Sequence, residues 1–361
     1  MNISTLQIDN FRNYQHAKLQ FANGINFILG DNAQGKTSLL EAVYLCGVGK
    51  SARTSKDKEM IKIESKQSRV QVKLNSKRGK ESVDIVLDRT ANKRVSISGV
   101  PVVRLGELMG VCSVVLFSPD ELRIVKEGPN ERRRFMDIAL CQLSKTYFYT
   151  LNNFNKVLSQ RNKLLKNGRA SDDELFIWDK QFVEIGAKIA KNRRGFVDRL
   201  ASFAKVRHFA LSDTREELTV KYHGVDSQDL DIVKQTLQSQ LDADRVKDLK
   251  HGYTHSRPHK DDIQILLNGT DARCFGSQGQ QRSAALSLKL AEIDILTDLN
   301  REPPILLLDD VLSELDNSRC KKLLQFCKFT QTLITATHIE QELLDSIEHF
   351  KKFVIKNGTV E

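Results

Sequence analysis

GDNAQGKTS, residues 30–38, fits G-x-x-x-x-G-K-[ST], with Gly30, Gly35, Lys36 and Thr37 at the fixed positions. Before it, Ile25-Asn26-Phe27-Ile28-Leu29 reads as a short buried strand. After it, Leu39, Leu40, Ala42, Val43 and Leu45 recur at helical spacing, with Glu41 expected to face outward. Strand, glycine-rich turn, helix is the context this motif requires. Such a loop aims successive backbone N–H groups at one point at a helix N-terminus, where the dipole favours a phosphate. Gly30, Asp31, Asn32, Ala33, Gln34, Gly35, Lys36 and Thr37 are therefore the expected nucleotide-binding residues. Lys36 is expected to reach the β- and γ-phosphates, and Thr37 to place its hydroxyl on Mg2+. The stretch reads as a nucleoside triphosphate site.

PPILLLDDVLSELD (303–316) supplies a second half for such a site. An apolar strand ending in Asp309-Asp310 is a Walker B pattern. Asp309 would hold the Mg2+ directly or through water, and Asp310 stands where a general base or water-positioning carboxylate is needed. Read alone, the same residues also suit a capped strand-to-loop junction. Just upstream, Phe275-Gly276-Ser277-Gln278-Gly279-Gln280-Gln281-Arg282 places small and amide residues at a helix start, again an anion-binding geometry. One P-loop has no use for a second phosphate-binding turn, so its natural target is the γ-phosphate held by another subunit. The competing reading is a plain cap, Ser277 with Gln280 or Gln281 as capping-box partner.

Outward from these motifs, the first 29 residues alternate like strands, and Val70–Leu74, Val83–Leu87 and Val95–Ile97 suggest a small antiparallel sheet. The polar, Lys/Arg-rich stretch 49–66 separates them from the P-loop helix, and Val111 to Phe117 reads as a strand buried on both faces. From Asn130, a plausible N-cap, to about Lys166 apolar residues recur every three or four positions. A turn at 167–172 precedes a second periodic stretch, Leu175 to about Ala204, so the pair reads as an antiparallel helical hairpin. A strand at Glu217–Lys221 and a helix at Gln228–Leu249 follow. Strand and helix alternation then resumes with strands Ile263–Leu267, Ile305–Leu308 and Leu333–Thr335 and a helix over Ser277–Leu299. The expected fold class is α/β: one domain of mixed sheets and helices around the P-loop, residues 1–128 and 251–361, with an inserted antiparallel helical arm, residues 129–250.

The 361-residue chain has room for two domains and carries a formal net charge of +10, which suits a polyanionic partner. No apolar run reaches the ~20 residues that span a bilayer, and no signal-peptide pattern opens the chain. Its six cysteines lack CxxC spacing and read as reduced core thiols, so the chain is expected to be cytoplasmic. His251, His255 and His259 would share a helix face at i, i+4, i+8, but Gly252 and Pro258 argue against a continuous helix and hence against a metal site. Arg132-Arg133-Arg134 opposes the dipole at a helix start, which hints at an acidic partner or an ion-pair role. Phosphate-backbone contacts to DNA are expected from Lys50, Arg53, Lys56 and Lys58, from Lys77, Arg78 and Lys80, and from Arg89, Lys93 and Arg94, as a group rather than singly.

Together these residues resemble the ABC-type ATPases, and more closely the RecF family of the SMC-like group. The likeness covers nearly the whole chain: FRNY (11–14), GDNAQGKTSLLEAVY (30–44), FSPDEL (117–122), GPNERRRFMD (128–137), RPHKDD (257–262), GSQGQQRS (276–283), LLLDDVLSELD (306–316) and ITATH (334–338). Departures are Arg257 where the family commonly has Gly, and Ser38 where Asn is usual. The resemblance implies an ABC-type head with ATP and Mg2+ as ligands. It implies that Ser277, Gly279 and Gln280 act in trans on ATP held by a partner's P-loop in an ATP-dependent homodimer. Glu314 and Asp316 would form the D-loop at the dimer seam, and His338 would sense the γ-phosphate, although a lone histidine there also suits an ordinary surface position. The turn 117–122 would be a lever between site and arm. Implied partners are duplex or gapped DNA with RecO and RecR, and indirectly RecA. Asp310 is one methylene shorter than the Glu of fast ABC ATPases, so slow turnover is expected. A membrane-transporter ATPase subunit would lack the long insertion, and an SMC-type tether would need heptads over a far longer arm.

Overall fold

The structure is a computed structural model describing residues 1–167, 171–212 and 216–360. Contacts divide the chain into two units, Met1–Leu122 with Lys289–Glu361, and Arg123–Leu288. In the first unit the uninterrupted apolar runs become the central strands of one sheet, ordered Thr359–Val360, Phe350–Lys356, Ile25–Leu29, Thr332–Ala336, Ile305–Asp309, Val114–Phe117. Neighbours run parallel except in the terminal hairpin 350–360. The central strands are buried on both faces, which is why they read as runs and not as alternations. Phe350–Lys356 has no counterpart in the sequence reading. Its lysines interrupt the apolar run, and only pairing with Ile25–Leu29 gives it a place.

Register decides where the loops emerge. Thr335 lies level with Asp309 on one side and with Ile28 on the other. The P-loop and the segment after Asp309 therefore leave the sheet at the same carboxyl edge, where open α/β sheets bind ligands.

A second six-stranded sheet is antiparallel and runs Tyr14–Gln20, Asn2–Phe11, Gln67–Ser76, Gly79–Asp88, Arg94–Ile97, Val100–Pro101. The strands expected between 70 and 97 thus do not form a small sheet of their own. Gln67–Ser76 pairs with Asn2–Phe11, a long-range contact no local pattern reveals. The helix Lys36–Val48 is buried nearly all round. Glu41, expected to face water, is buried with it, because Arg12 and Ser51 supply its partners.

The second unit holds the helices Pro129–Leu143, Lys145–Asn167, Asp172–Leu211 and Leu230–His251. A three-stranded antiparallel sheet ordered Thr270–Asp271, Asp262–Leu267, Leu218–His223 accompanies them. The stretch read as one helix from Asn130 is two, broken at Ser144, whose Oγ accepts from Tyr147 N at 3.1 Å. Its N-cap is Gly128 and not Asn130; Pro129 takes the first helical position, where a missing N–H costs nothing. Residues 168–170 of the expected turn lie outside the described residues; Ser171 beyond them closes a capping box with Glu174. The following helix runs past Ala204 to Leu211 and, at 40 residues, spans about 60 Å. Phe154 meets Phe182 and Arg161 meets Asp179, so helices 145–167 and 172–211 are antiparallel as expected.

Buried charge organises this unit. Arg161 is fully buried, donating to Asp179 Oδ1 at 2.6 Å and, through Nη1, to Asp248 Oδ2 and Thr254 Oγ1, each at 2.7 Å. Arg132 grips Asp262 with two parallel bonds of 2.6 and 2.8 Å, and Arg133 donates to Asp261 O at 2.6 Å. That internal pairing explains why these arginines tolerate the helix start. Asp261 also accepts from Tyr222 Oη at 2.6 Å and lies 3.4 Å from both Arg193 and Arg257, so the 257–262 segment closes this unit from within. The helix carrying His251 ends at Gly252 in the left-handed conformation, and His255 turns to Asp248 Oδ1 at 2.7 Å. Among the described residues, no helix is long and apolar enough to cross a membrane.

Candidate functional site: a phosphate cleft at the sheet edge

A cleft of about 810 Å³ opens over the P-loop and is lined by Asp31 through Ser38, by Asp309, Asp310 and Thr335, and by Arg12, Asn13, Arg53, Glu59 and residues 61–64. The loop needs its glycines. Gly30 has φ 154°, and a Cβ there would stand 2.4 Å from Ile355 O. Gly35 has φ 111°, and its Cβ would meet the Asn13 amide at 2.5 Å. Asn13 Nδ2 donates to Gln34 O at 3.0 Å and Tyr14 Oη to Gly35 O at 3.1 Å, so the 11–14 turn braces the loop from behind. Lys36 Nζ donates to Asp31 O at 2.9 Å and to Gly30 O, which holds the ammonium in the loop's mouth. Burial depresses its pKa, while Asp310 and Asp309 act in the opposite sense.

Asp309 and Asp310 lie beside this loop. Thr37 Oγ1 donates to Asp309 Oδ1 at 2.9 Å, and Thr335 Oγ1 donates to the same oxygen at 2.7 Å. Burial raises the Asp309 pKa, and the two hydroxyl donors oppose that shift. Asp310 has φ 53°, a left-handed conformation that Asp tolerates better than most residues. Its N–H donates to Thr335 O at 3.2 Å and Thr335 Oγ1 at 2.9 Å, pinning the backbone of the bend. Asp310 Oδ1 is buried with no hydrogen-bond partner among the described residues. An orphan acceptor of that kind is costly unless something else fills it. A hydroxyl and a carboxylate side by side are hard oxygen donors of the sort Mg2+ prefers, so the residues present fit a Mg2+-triphosphate.

Sequence reasoning missed the other wall. Arg12 and Asn13 belong to FRNY, residues 61–64 to a polar stretch, and Thr335, buried in its strand, to ITATH, and none of these patterns points to the cleft. Arg53, grouped with the DNA candidates, also lines this cleft.

Ser277 N donates to Gln280 Oε1 at 2.8 Å and Gln280 N to Ser277 Oγ at 3.2 Å, which is the capping box weighed above. Gln280 Nε2 also donates to Glu216 Oε1 at 2.7 Å, and Gly279 O accepts from Ser283 Oγ at 2.9 Å. Asp316 caps the helix Asn317–Cys327 through Arg319 N at 3.0 Å, and Glu314 lies in the short turn before it. His338 is exposed just beyond Thr332–Ala336. Lys50, Lys56, Lys58, Lys77, Arg78, Lys80 and Arg94 are exposed. Arg89 donates to Ser65 O at 2.8 Å and Lys93 to Gly49 O at 2.7 Å.

The sequence model described as RecF/RecN/SMC N terminal domain matches residues 2–361. A protein of Lachnoclostridium phytofermentans described as DNA replication and repair protein RecF is 42% identical over 364 residues, covering 100% of this chain and 99% of its own length. Its counterpart in Acetivibrio thermocellus is 44% identical over 353 residues, covering 96% and 95%. Among solved structures, one described as the recombination mediator protein RecF-ATP in the RecFOR pathway superposes with a TM-score of 0.92 at 35% identity, covering 99% of this chain and 96% of that one. An Smc head bound to the C-winged helix domain of ScpA has a TM-score of 0.58 at 13% identity, covering 100% and 96%, and shares the fold.

Proposed function

This chain belongs to the RecF/RecN/SMC N-terminal domain family, and from that membership we propose that it is an ATP-dependent DNA-binding protein of gap repair and replication restart. The observation that carries the reading is the meeting of Lys36, Thr37, Asp309 and Asp310, whose Oδ1 is left without a partner among the described residues, in one cleft. Thr37 and Asp309 would hold Mg2+, which neutralises phosphate charge when bound. Lys36 and the loop N–H groups position the triphosphate, and Asp310 orients the attacking water and accepts its proton. Positioning to about 1 Å governs such rates, and the short Asp310 side chain suits slow turnover, a timer for the DNA-bound state.

Two copies would then close face to face, with Ser277, Gly279 and Gln280 of one sealing the nucleotide of the other. The capping box supports that use, since it orders the turn while Ser277 stays exposed. Glu314 and Asp316 would lie at the seam, and His338, exposed at the end of its strand, would reach the γ-phosphate. Exposed Lys50, Lys56, Lys58, Lys77, Arg78 and Arg94 would contact duplex or gapped DNA through its phosphates. The description of a relative as a recombination mediator in the RecFOR pathway supports RecO and RecR as partners, with which the protein would help to load RecA in the cytoplasm.

Sedimentation with and without ATP and duplex DNA tests this reading. The wild type should shift from monomer to dimer on ATP. Lys36→Arg should lose that shift together with hydrolysis. Ser277→Arg should bind ATP as a monomer with unchanged affinity yet fail to associate. Dimerisation of Ser277→Arg on ATP would remove the trans assignment.

A further inference from the structure

A buried carboxylate one helical turn beyond the phosphate loop ties two arginines of the cleft to the helix that begins there. Glu41 follows Thr37 by four residues on Lys36–Val48, so the two share a helix face. Its side chain is 1% exposed. Arg12 donates to both carboxylate oxygens, from Nε to Oε2 at 2.8 Å and from Nη2 to Oε1 at 2.6 Å. Such a fork fixes the plane of the guanidinium as well as its position. Arg12 Nη1 is held in turn by Glu59 O at 2.8 Å.

The same carboxylate reaches Arg53 by two routes. Ser51 Oγ donates to Glu41 Oε1, and that hydroxyl oxygen accepts from Arg53 N at 2.9 Å and Thr54 N at 3.1 Å. Glu41 thereby sets the backbone of the turn that carries Arg53. Arg53 Nη1 also lies 3.7 Å from Glu41 Oε2. Both arginines line the phosphate cleft, whereas Glu41 itself does not.

We infer that Glu41 is a positioning residue for the triphosphate: it touches no phosphate, but it decides where the Arg12 and Arg53 guanidiniums stand relative to the P-loop. A glutamine of the same shape would turn an N–H donor toward a guanidinium that has only donors, breaking the fork while filling the space. This inference rests on the reading of the cleft as an ATP site.

The test is a mutant cycle in the full-length protein, read as affinity for a fluorescent ATP analogue, with circular dichroism and thermal unfolding as the check of folding. Glu41→Gln should weaken binding roughly 10- to 100-fold, the range typical when a supporting group is lost. In a background carrying Arg12→Ala and Arg53→Ala, the same change should alter affinity by no more than about twofold, since the groups it positions are gone. Wild-type affinity in Glu41→Gln, or the full loss repeated in the double-alanine background, overturns the inference. If Glu41→Gln does not fold, Ser51→Ala takes its place in a cycle with Arg53→Ala, and additivity there overturns it equally. A wild type that binds no analogue removes the ATP reading and this inference with it. Wild-type binding with an additive cycle removes only the role of Glu41.

Discussion

Asp310→Asn should still bind ATP, with its hydrolysis reduced by about 10²- to 10⁴-fold, the usual contribution of a positioned general base. Three features of the residue lead there. Its N–H is held by Thr335, so the bend survives a change of side chain. Its φ of 53° suits asparagine as well as aspartate. Its Oδ1 is buried with no partner among the described residues, so the lost acceptor is one the fold itself does not use. Phosphate release at saturating ATP, set beside the affinity for a fluorescent ATP analogue, separates chemistry from binding. Hydrolysis within about tenfold of wild type would exclude Asp310 as the base, because a lone proton acceptor contributes more than that.

Arg161→Met should destabilise the protein by about 3–5 kcal/mol, the range for removing one member of a buried ion cluster. Arg161 is 0% exposed, and its removal takes a buried cation from Asp179 and Asp248, themselves 8% and 0% exposed, leaving Asp179 with Arg245 and Asp248 with His255. Thr254 Oγ1 would lose a donor as well. Most of the loss would come from two carboxylates left with one partner each in a water-poor interior, not from the net worth of the pair, since desolvation offsets much of the Coulomb attraction. Adding Asp179→Asn to Arg161→Met should therefore restore part of the stability. Urea unfolding of the single and double variants measures both. A single variant within about 1 kcal/mol of wild type would mean that the carboxylates find other partners or water, which is the regime of exposed pairs.

Legibility in the sequence followed the range of the interaction. Gly30, Gly35, Lys36 and Thr37 are neighbours in the chain, and the backbone constraints they answer are local, so the loop could be read directly. Ile305 to Asp309 is a run buried on both faces, so its apolar content alone marked it as a central strand. Thr335 sits in a strand of the same character, and its place in ITATH says nothing of its partner. Its importance lies in reaching Asp309, 26 residues away, across the sheet. Ser277 and Gln280 could be read as a cap or as a ligand-facing turn, and the capping hydrogen bonds suit both.

Glu41 marks the limit most sharply. Helical periodicity sorts residues by polarity, and a carboxylate between apolar neighbours goes by default to the water side. Arg12 and Ser51, brought to it by the antiparallel sheet and the following turn, reverse that assignment. Arg132 and Arg133 are the same case with the signs exchanged, opposed to a helix dipole in the sequence and answered by Asp262 and by a backbone carbonyl in the structure. The sequence by itself determined the phosphate loop, the acidic strand end, the helical insertion and the family, all of which are written in contiguous residues. Tertiary structure alone decided which charges are buried, which strands are neighbours and which arginines face the cleft. Those outcomes depend on partners far apart in the chain, and the energy of a buried charge is set by its partner and not by its place in a pattern.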